Sequence, residues 1–414
     1  MQLNNKREIG SVEFIVLVAF IMLLTAVAID IMLPAFGDLR AFLGLPPDST
    51  ATAQIVTFFF MGQVGQLAFG PLADRYGRLP IMRTGFLLYI GGCIAAAFSP
   101  SLTPILVARF IVGLGAAALS VGAVTSVRDR FSGDKMARTM SLIMTIFLFV
   151  PIIAPIAGTF ILSLTSWHVV FLTPALVGIL VFIWSFRLRE SLPPERRLNL
   201  DFATIAQSTK QVLGNRVFVR YTLIVTILFS AFSSYVSSSE HMISEIFGRP
   251  EVFTLIFGGI GIIMAIFTFL NSRLVGRFGA RRTVRSLLTV YFVLAVILLV
   301  LTLAFQGKPN LFVFFAVVAL LQGIYVAAEP NSSALALEPL GETAGMAAAI
   351  YGTSFFVVGS FLGSFIDRQL VNSVTPLALG YVLSSLLAVV LVFSGRTSPK
   401  SAAMKVETAS QIGD

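Results

Sequence analysis

Charge is what this sequence has least of. Asp, Glu, Lys and Arg make up 12% of 414 residues while apolar residues reach 57%, against about a quarter and about half in a soluble chain. A pair of water-soluble domains is excluded. One cysteine, Cys93, rules out an internal disulfide framework, and two histidines, His168 and His241, with that lone thiol do not assemble the usual His/Cys zinc site. The sequence has no GxxxxGK[ST] phosphate loop, which argues against ATP as an energy source. An intramembrane enzyme would need a nucleophile and base or a metal cluster, and neither is visible. No metal and no cofactor is expected.

What is present is a succession of long apolar runs, with a mean hydropathy of +0.91 over the chain. Most are long enough to cross a hydrocarbon core of about 30 Å. The pattern predicts twelve membrane-spanning helices, at about 13–36, 50–72, 79–98, 103–126, 138–162, 168–187, 217–238, 252–272, 284–305, 310–330, 343–365 and 376–394. The first run follows Lys6 and Arg7 as a signal peptide would, but it exceeds a typical h-region and contains Asp30, so it is read as helix one.

The formal net charge of +9 suggests nucleic acid until the basic residues are placed. Only Arg40, Arg249, Lys308 and Arg368 fall on one side of the alternating loops and Arg109 falls inside a span; the rest of the 29 Lys and Arg lie on the other side, with both termini. The positive-inside rule puts that side in the cytoplasm. The basic excess then faces anionic headgroups, and no nucleic-acid partner is needed.

The longest polar stretch between runs lies near mid-chain and contains Pro193, Pro194 and Asp201. Six predicted helices precede it and six follow. Leu72, Arg75, Tyr76 and Gly77 recur as Leu274, Arg277, Phe278 and Gly279 at a constant offset of 202 residues, as a duplicated unit would. The expected architecture is an all-α polytopic membrane protein of two pseudo-symmetric six-helix bundles, at 1–187 and 217–394, with a cytoplasmic linker at 188–216 and a cytoplasmic tail at 395–414.

Three groups of residues stand out. Gly70 to Arg78 forms a short hairpin in which Asp74 is flanked by Arg75 and Arg78 and Gly77 permits a tight reversal. Such a loop acts as a conformational latch or simply satisfies the charge rule. Asp30 and Arg109 are charges inside spans, each about six residues, or roughly 9 Å, from the same membrane surface. They are read as a proton-coupling pair in a shared cavity, or as a static ion pair. Gly113 lies on a small-residue face of span four, and Pro151 and Pro155 each remove a helix hydrogen bond in span five, marking a hinge or a close-packing site. Gln54 and Tyr235 are cavity candidates, with interhelical bonding as the alternative.

The string Gly70-Pro71-Leu72-Ala73-Asp74-Arg75-Tyr76-Gly77-Arg78 resembles the signature loop of the major facilitator superfamily. Ile29 to Ala35, Arg109 to Gly113, Val127-Arg128-Asp129, Pro151 to Gly158, Ser166-Trp167-His168 and Leu192 to Arg197 together resemble the Bcr/CflA branch of bacterial drug:proton antiporters over nearly the whole chain. Departures are Ala154 before Pro155, Ala157 in the first place of a Gly-Gly pair, and Leu79 where a basic residue is common. The resemblance implies a major facilitator fold in the bacterial inner membrane. It also implies a monomer that exchanges drug-like compounds for protons by alternating access. Arg128 and Asp129 join the latch on this basis and Gly158 the hinge. A proton-coupled importer, a metabolite exporter or a channel on the same fold is the alternative.

Overall fold

The computed structural model describes residues 10–197 and 202–394. Lys6, Arg7, the tail expected at 395–414 and the centre of the linker lie outside the described residues. Twelve helices are long and apolar enough to cross a membrane, in agreement with the predicted number. Their ranges are Ser11–Phe42, Thr50–Tyr76, Arg78–Ala97, Leu102–Arg130, Arg138–Leu164 and Trp167–Ser185 for spans 1 to 6. Spans 7 to 12 are Arg216–Ile246, Pro250–Phe278, Ala280–Ala304, Leu311–Leu337, Ala344–Asp367 and Thr375–Phe393. Helices answer the absence of water in the hydrocarbon, because each satisfies its backbone donors and acceptors within itself. Several exceed the roughly 20 residues needed to cross. Span 4, at 29 residues, therefore carries its last turn past the hydrocarbon, where Arg128 and Asp129 are exposed.

Two six-helix bundles share one packing scheme. In the first, span 3 lies against spans 4 and 6, span 2 against span 4, and span 1 against spans 5 and 6; in the second, span 9 lies against 10 and 12, span 8 against 10, and span 7 against 11 and 12. The repeated loops fold alike as well. Gly77 and Gly279 both take positive φ, 104° and 74°, and each donates its N–H back to the fourth residue before it, Ala73 at 3.1 Å and Val275 at 2.9 Å. These are left-handed helix ends that only glycine makes without strain.

The surface is apolar and much of the interior is polar. Phe160, Leu180, Leu255 and Val300 stand exposed on the bundle surfaces, an arrangement that aggregates in water and suits lipid. Asp30, Arg109, Gln63, Gln322, Asp367 and a run of serines in span 7 are buried.

Several spans depart from regular α-helix. Span 1 tightens to a 3-10 turn at Leu33–Ala35, with Pro34 inside it. Spans 7 and 11 widen to π-helix at Met242–Ile246 and Ser354–Gly359. Span 5 breaks between Phe147 and Val150, just ahead of Pro151, whose ring nitrogen has no hydrogen to donate. All four irregularities lie on helices that meet across the two bundles: span 1 meets 7, span 5 meets 8 and span 2 meets 11.

Candidate functional site

Span 1 ends its first helical segment at Asp30, where the backbone begins to unwind toward Pro34. The Asp30 side chain is buried, and among the described residues no cation lies within ion-pair distance of it and no group donates to it. In the other bundle, Tyr235 of span 7 lies within electrostatic reach of Asp30; its hydroxyl is fully buried and has no hydrogen-bond partner. Its ring stacks on Phe257 of span 8, centroids 5.8 Å apart. A carboxylate without a protein partner and an unsatisfied hydroxyl of the other bundle thus lie within electrostatic reach of each other. Buried polar groups are ordinarily paired, and the Tyr235 hydroxyl is one of the exceptions among the described residues.

Arg109 is brought to the same level but not to the carboxylate. Its Nη2 donates to the Ala28 carbonyl at 2.8 Å and its Nε to the Ile55 carbonyl at 3.5 Å; the guanidinium lies 4.9 Å from the centroid of Phe59, and Nη1 has no partner. The expectation of a direct Asp30–Arg109 pair is corrected. The guanidinium bonds to the backbone of span 1 at Ala28 and of span 2 at Ile55 and leaves the Asp30 carboxylate without an ion pair. Arg109 is fully buried and holds the span 1 backbone at Ala28, two residues before Asp30.

Gly158 and Gly113 are explained by close approach. A side chain on Gly158 of span 5 would collide with the Ile31 carbonyl and meet Pro34, so span 5 rests on the unwound part of span 1 beside Asp30. Gly113 of span 4 lies against Phe59 and Gly62 of span 2, with no room for a Cβ. Pro151 packs on Gly261 of span 8. Pro155 is buried inside the helix that follows the break. Gln54 is half-buried at the start of the second segment of span 2 and has no hydrogen-bond partner among the described residues.

The latch is larger than the signature loop. Arg78 donates through Nη1 to Asp74 at 2.5 Å and through Nε to Asp129 of span 4 at 3.0 Å. Glu190, in the segment after span 6, accepts the backbone N–H groups of Arg78 at 2.8 Å and Leu79 at 3.0 Å. Glu190 thereby caps the start of span 3, where orphan donors and the helix dipole favour an anion. A Cβ on Gly77 would strike that carboxylate. Ser191 completes the mesh by donating to Asp129 at 2.8 Å. Arg75 lies exposed over the Tyr76 ring, Gly70 has open space around it, and Arg128 is exposed and outside the mesh. Arg128 stands at the last turn of span 4, one residue before the Asp129 that does the bonding.

On the opposite face the bundles are joined by a clamp that sequence reasoning missed. Arg40, 2% exposed, grips Glu240 of span 7 with both guanidinium nitrogens, at 2.8 and 3.1 Å, and reaches Glu245 at 3.0 Å and Thr52 at 3.4 Å. The π turn explains why two acids five residues apart serve one arginine, since an i to i+5 repeat places them on one side of the helix. Arg40 was one of only four basic residues on that face, which was the available signal. Below the clamp, Phe60 of span 2 packs edge-on to Phe229 of span 7 at 5.1 Å and stacks on Phe356 of span 11 at 5.6 Å. Thr159 and Thr254 join spans 5 and 8 by a 3.1 Å hydrogen bond.

On the basic face, a cavity of about 320 Å³ lies between Leu67 of span 2, Met346, Ile350 and Thr353 of span 11, and the Phe202–Gly214 helix of the linker through Ile205, Thr209 and Leu213. Asp30, Gln54 and Tyr235 do not line it.

A multispan helical pair of bundles with a closed face and buried, unpaired charge at the seam defines a membrane transporter. Residues 15–364 match the Major Facilitator Superfamily, and the chain belongs to that family. It is therefore a secondary transporter and not an enzyme. It is 29% identical over 382 residues to the uncharacterized MFS-type transporter YdgK of Bacillus subtilis, covering 89% of this chain and 90% of that one. It is 27% identical to a bicyclomycin resistance protein homolog of Haemophilus influenzae, with 88% and 91% covered, and 24% identical to the multidrug resistance protein MdtL of Vibrio parahaemolyticus, with 90% and 93% covered. Among solved structures, a D-xylose-proton symporter superposes with a TM-score of 0.72 at 15% identity, covering 92% of this chain and 97% of that one. The human organic anion transporter MFSD10 gives 0.67 at 17%, covering 93% and 99%. Both share the fold.

Proposed function

We propose that the protein is a proton-coupled drug exporter of the bacterial inner membrane, with the basic face and both termini in the cytoplasm. The observation that carries this reading is Asp30: a buried carboxylate with no counter-ion among the described residues, set at the unwound point of span 1 and within electrostatic reach of an unsatisfied tyrosine hydroxyl of the other bundle. An isolated carboxylate in such a place strongly disfavours its charge and is the default mark of a proton or ion pathway. Likeness to bicyclomycin and multidrug resistance proteins supports export of drug-like compounds over import of a nutrient.

The cycle follows from differential binding. Proton and substrate need only favour opposite states by a few kcal/mol. Protonation of Asp30 from the outside removes a charge from the seam and permits the rocking that opens the cytoplasmic side. Substrate arriving from the cytoplasm or inner leaflet favours the deprotonated carboxylate. Gly158 and Gly113 let spans 5 and 2 slide on spans 1 and 4 at backbone contact, while the Asp74–Arg78–Asp129 mesh holds the ends of spans 2, 3 and 4 as one body. The bundles, divided by the linker at 188–216, move as units, and the protein works as a monomer.

The decisive test is efflux of ethidium, a lipophilic cation, in inverted vesicles from an efflux-deficient bacterium, with and without a protonophore. Proton-driven ethidium loading is expected for the wild type and absent for Asp30→Asn. Uptake that persists in Asp30→Asn, or that ignores the protonophore, would overturn the reading. A drug-susceptibility panel in the same strain separates exporter from importer, because resistant growth accompanies export only.

A further inference from the structure

Span 11 ends in a second buried carboxylate. Asp367 is 3% exposed, although Arg368 and Gln369 immediately after it are exposed on the opposite face. Its partners are three serines of span 7: Oδ1 accepts from Ser234 at 2.6 Å and from Ser238 at 2.9 Å, and Oδ2 lies 2.8 Å from the Ser237 hydroxyl. No cation is within ion-pair distance of it among the described residues. Span 7 offers Tyr235, Glu240, His241 and Glu245 as the other ionisable groups near this end, but Glu240 and Glu245 are engaged by Arg40 and His241 gives its Nε2 to the Leu370 carbonyl at 2.8 Å. The start of span 2, Thr50 to Gly62, has no ionisable residue; neither does the π segment Ser354–Gly359, and span 12 has only Tyr381.

A count of hydrogens shows what the cradle can do. Ser237 has one hydroxyl proton and two acceptors at the same distance, Oδ2 of Asp367 and the Ser233 carbonyl, both 2.8 Å away. With Asp367 neutral, Oδ2–H donates to Ser237, Ser237 donates to Ser233, and every polar atom is satisfied. With Asp367 ionised, Ser237 turns its proton to Oδ2 and the carboxylate accepts three hydroxyl bonds. One hydroxyl rotation separates the two charge states, so the cradle takes up or releases a proton without moving its backbone. A metal cation would need about six oxygen ligands; the cradle presents a carboxylate already filled by hydroxyls of a single helix.

The location ties that proton to closure. The Ser360–Asp367 segment packs on Thr50–Ala53 and Gln54–Gly62 of the first bundle, and Ser237 is one turn from Glu240 of the clamp. A charge without counter-ion beneath this seam opposes the removal of water. We propose that Asp367 is a proton-binding site, reached from the opposite face, whose occupancy favours the closed seam between the bundles on that face. Its link to transport rests on the antiport reading above; the proton site itself does not.

Infrared difference spectra of the full-length protein in lipid nanodiscs, between acidic and alkaline buffer, test the site. A protonated-carboxyl C=O band is expected that disappears in Asp367→Asn, persists in Asp30→Asn and moves to higher frequency in Ser234→Ala, which removes a donor to Oδ1. Superimposable spectra of the wild type and Asp367→Asn would overturn the proposal, as would a band that answers to sodium ions and not to pH. Should Asp367→Asn fail to fold, an unmoved band in Ser234→Ala overturns it alone. Spin labels at Asp48→Cys and Gln369→Cys then read the seam. The inter-label distance is expected to shorten as pH falls in the wild type and to remain short at every pH in Asp367→Asn; an unchanging wild-type distance, or a variant that tracks the wild type, contradicts the coupling. Loss of ethidium transport with an intact Asp367 band in Asp30→Asn separates the two carboxylates, and normal transport in Asp30→Asn with that band present defeats the antiport reading while leaving this one standing.

Discussion

At the scale of single residues, the seam is governed by groups that lack partners. Asp30 has no hydrogen bond or ion pair with a described residue, the Tyr235 hydroxyl is buried and unsatisfied, and Arg109 is held by two carbonyls and a phenyl ring with one nitrogen left over. Arg109→Lys keeps the charge but loses the planar fork, so it is expected to retain the fold while losing the Ile55 or the Ala28 bond. Proton-driven ethidium transport should fall at least tenfold in Arg109→Lys and vanish in Arg109→Ala; transport at wild-type rate in the alanine variant would show that the guanidinium plays no part. Both charges were legible in the sequence, because a charge inside an apolar run is costly and conspicuous. Their relation was not, since spacing along two helices sets a common depth but leaves open which way each side chain turns.

At the scale of elements, backbone contact decides tolerance. Gly158→Leu places a branched side chain on the Ile31 carbonyl, and overpacking of this sort costs about 1–3 kcal/mol. Span 5 should be pushed off span 1, with lower thermal stability and slowed exchange, whereas Gly70→Ala, which meets open space, should be silent for stability. Equal melting temperatures of the two variants in detergent would refute the packing assignment. In the latch, Glu190→Gln removes the anion that caps span 3. It should behave like Asp74→Asn, slowing interconversion with substrate affinity preserved; a large loss of affinity at normal turnover would contradict both. Asp74, Arg78 and Asp129 stood out through the signature string, but Glu190 lies more than 110 residues from the helix end it caps and carried no motif.

At the scale of the whole molecule, the clamp sets the state. Arg40 is fully buried against Glu240 and Glu245 from the other bundle, and breaking a buried pair by removing one partner costs about 3–5 kcal/mol. Arg40→Ala therefore shifts the balance toward opening of that face by two orders of magnitude or more. A thiol reagent applied from that face should label a Tyr235→Cys probe faster when Arg40 is replaced. Unchanged labelling would mean that the clamp does not close the path. Double replacement, Arg40→Met with Glu240→Leu, should restore slow labelling, because an apolar pair closes the seam without leaving a bare charge.

Membrane residence and the twelve spans were readable from composition and run length alone, because the cost of exposing backbone and charge to hydrocarbon acts on every residue in the same way. The family-like loop and the two intramembrane charges were likewise visible as local strings. Pairings between distant helices were decided only by the tertiary structure: Arg40 with Glu240, Asp367 with its serines, Asp30 in electrostatic reach of Tyr235. Such contacts join residues 130 to 200 or more positions apart, and they depend on helix rotation, on the π turns that redirect side chains, and on glycines that bring backbones together. None of these leaves a periodic mark in the sequence.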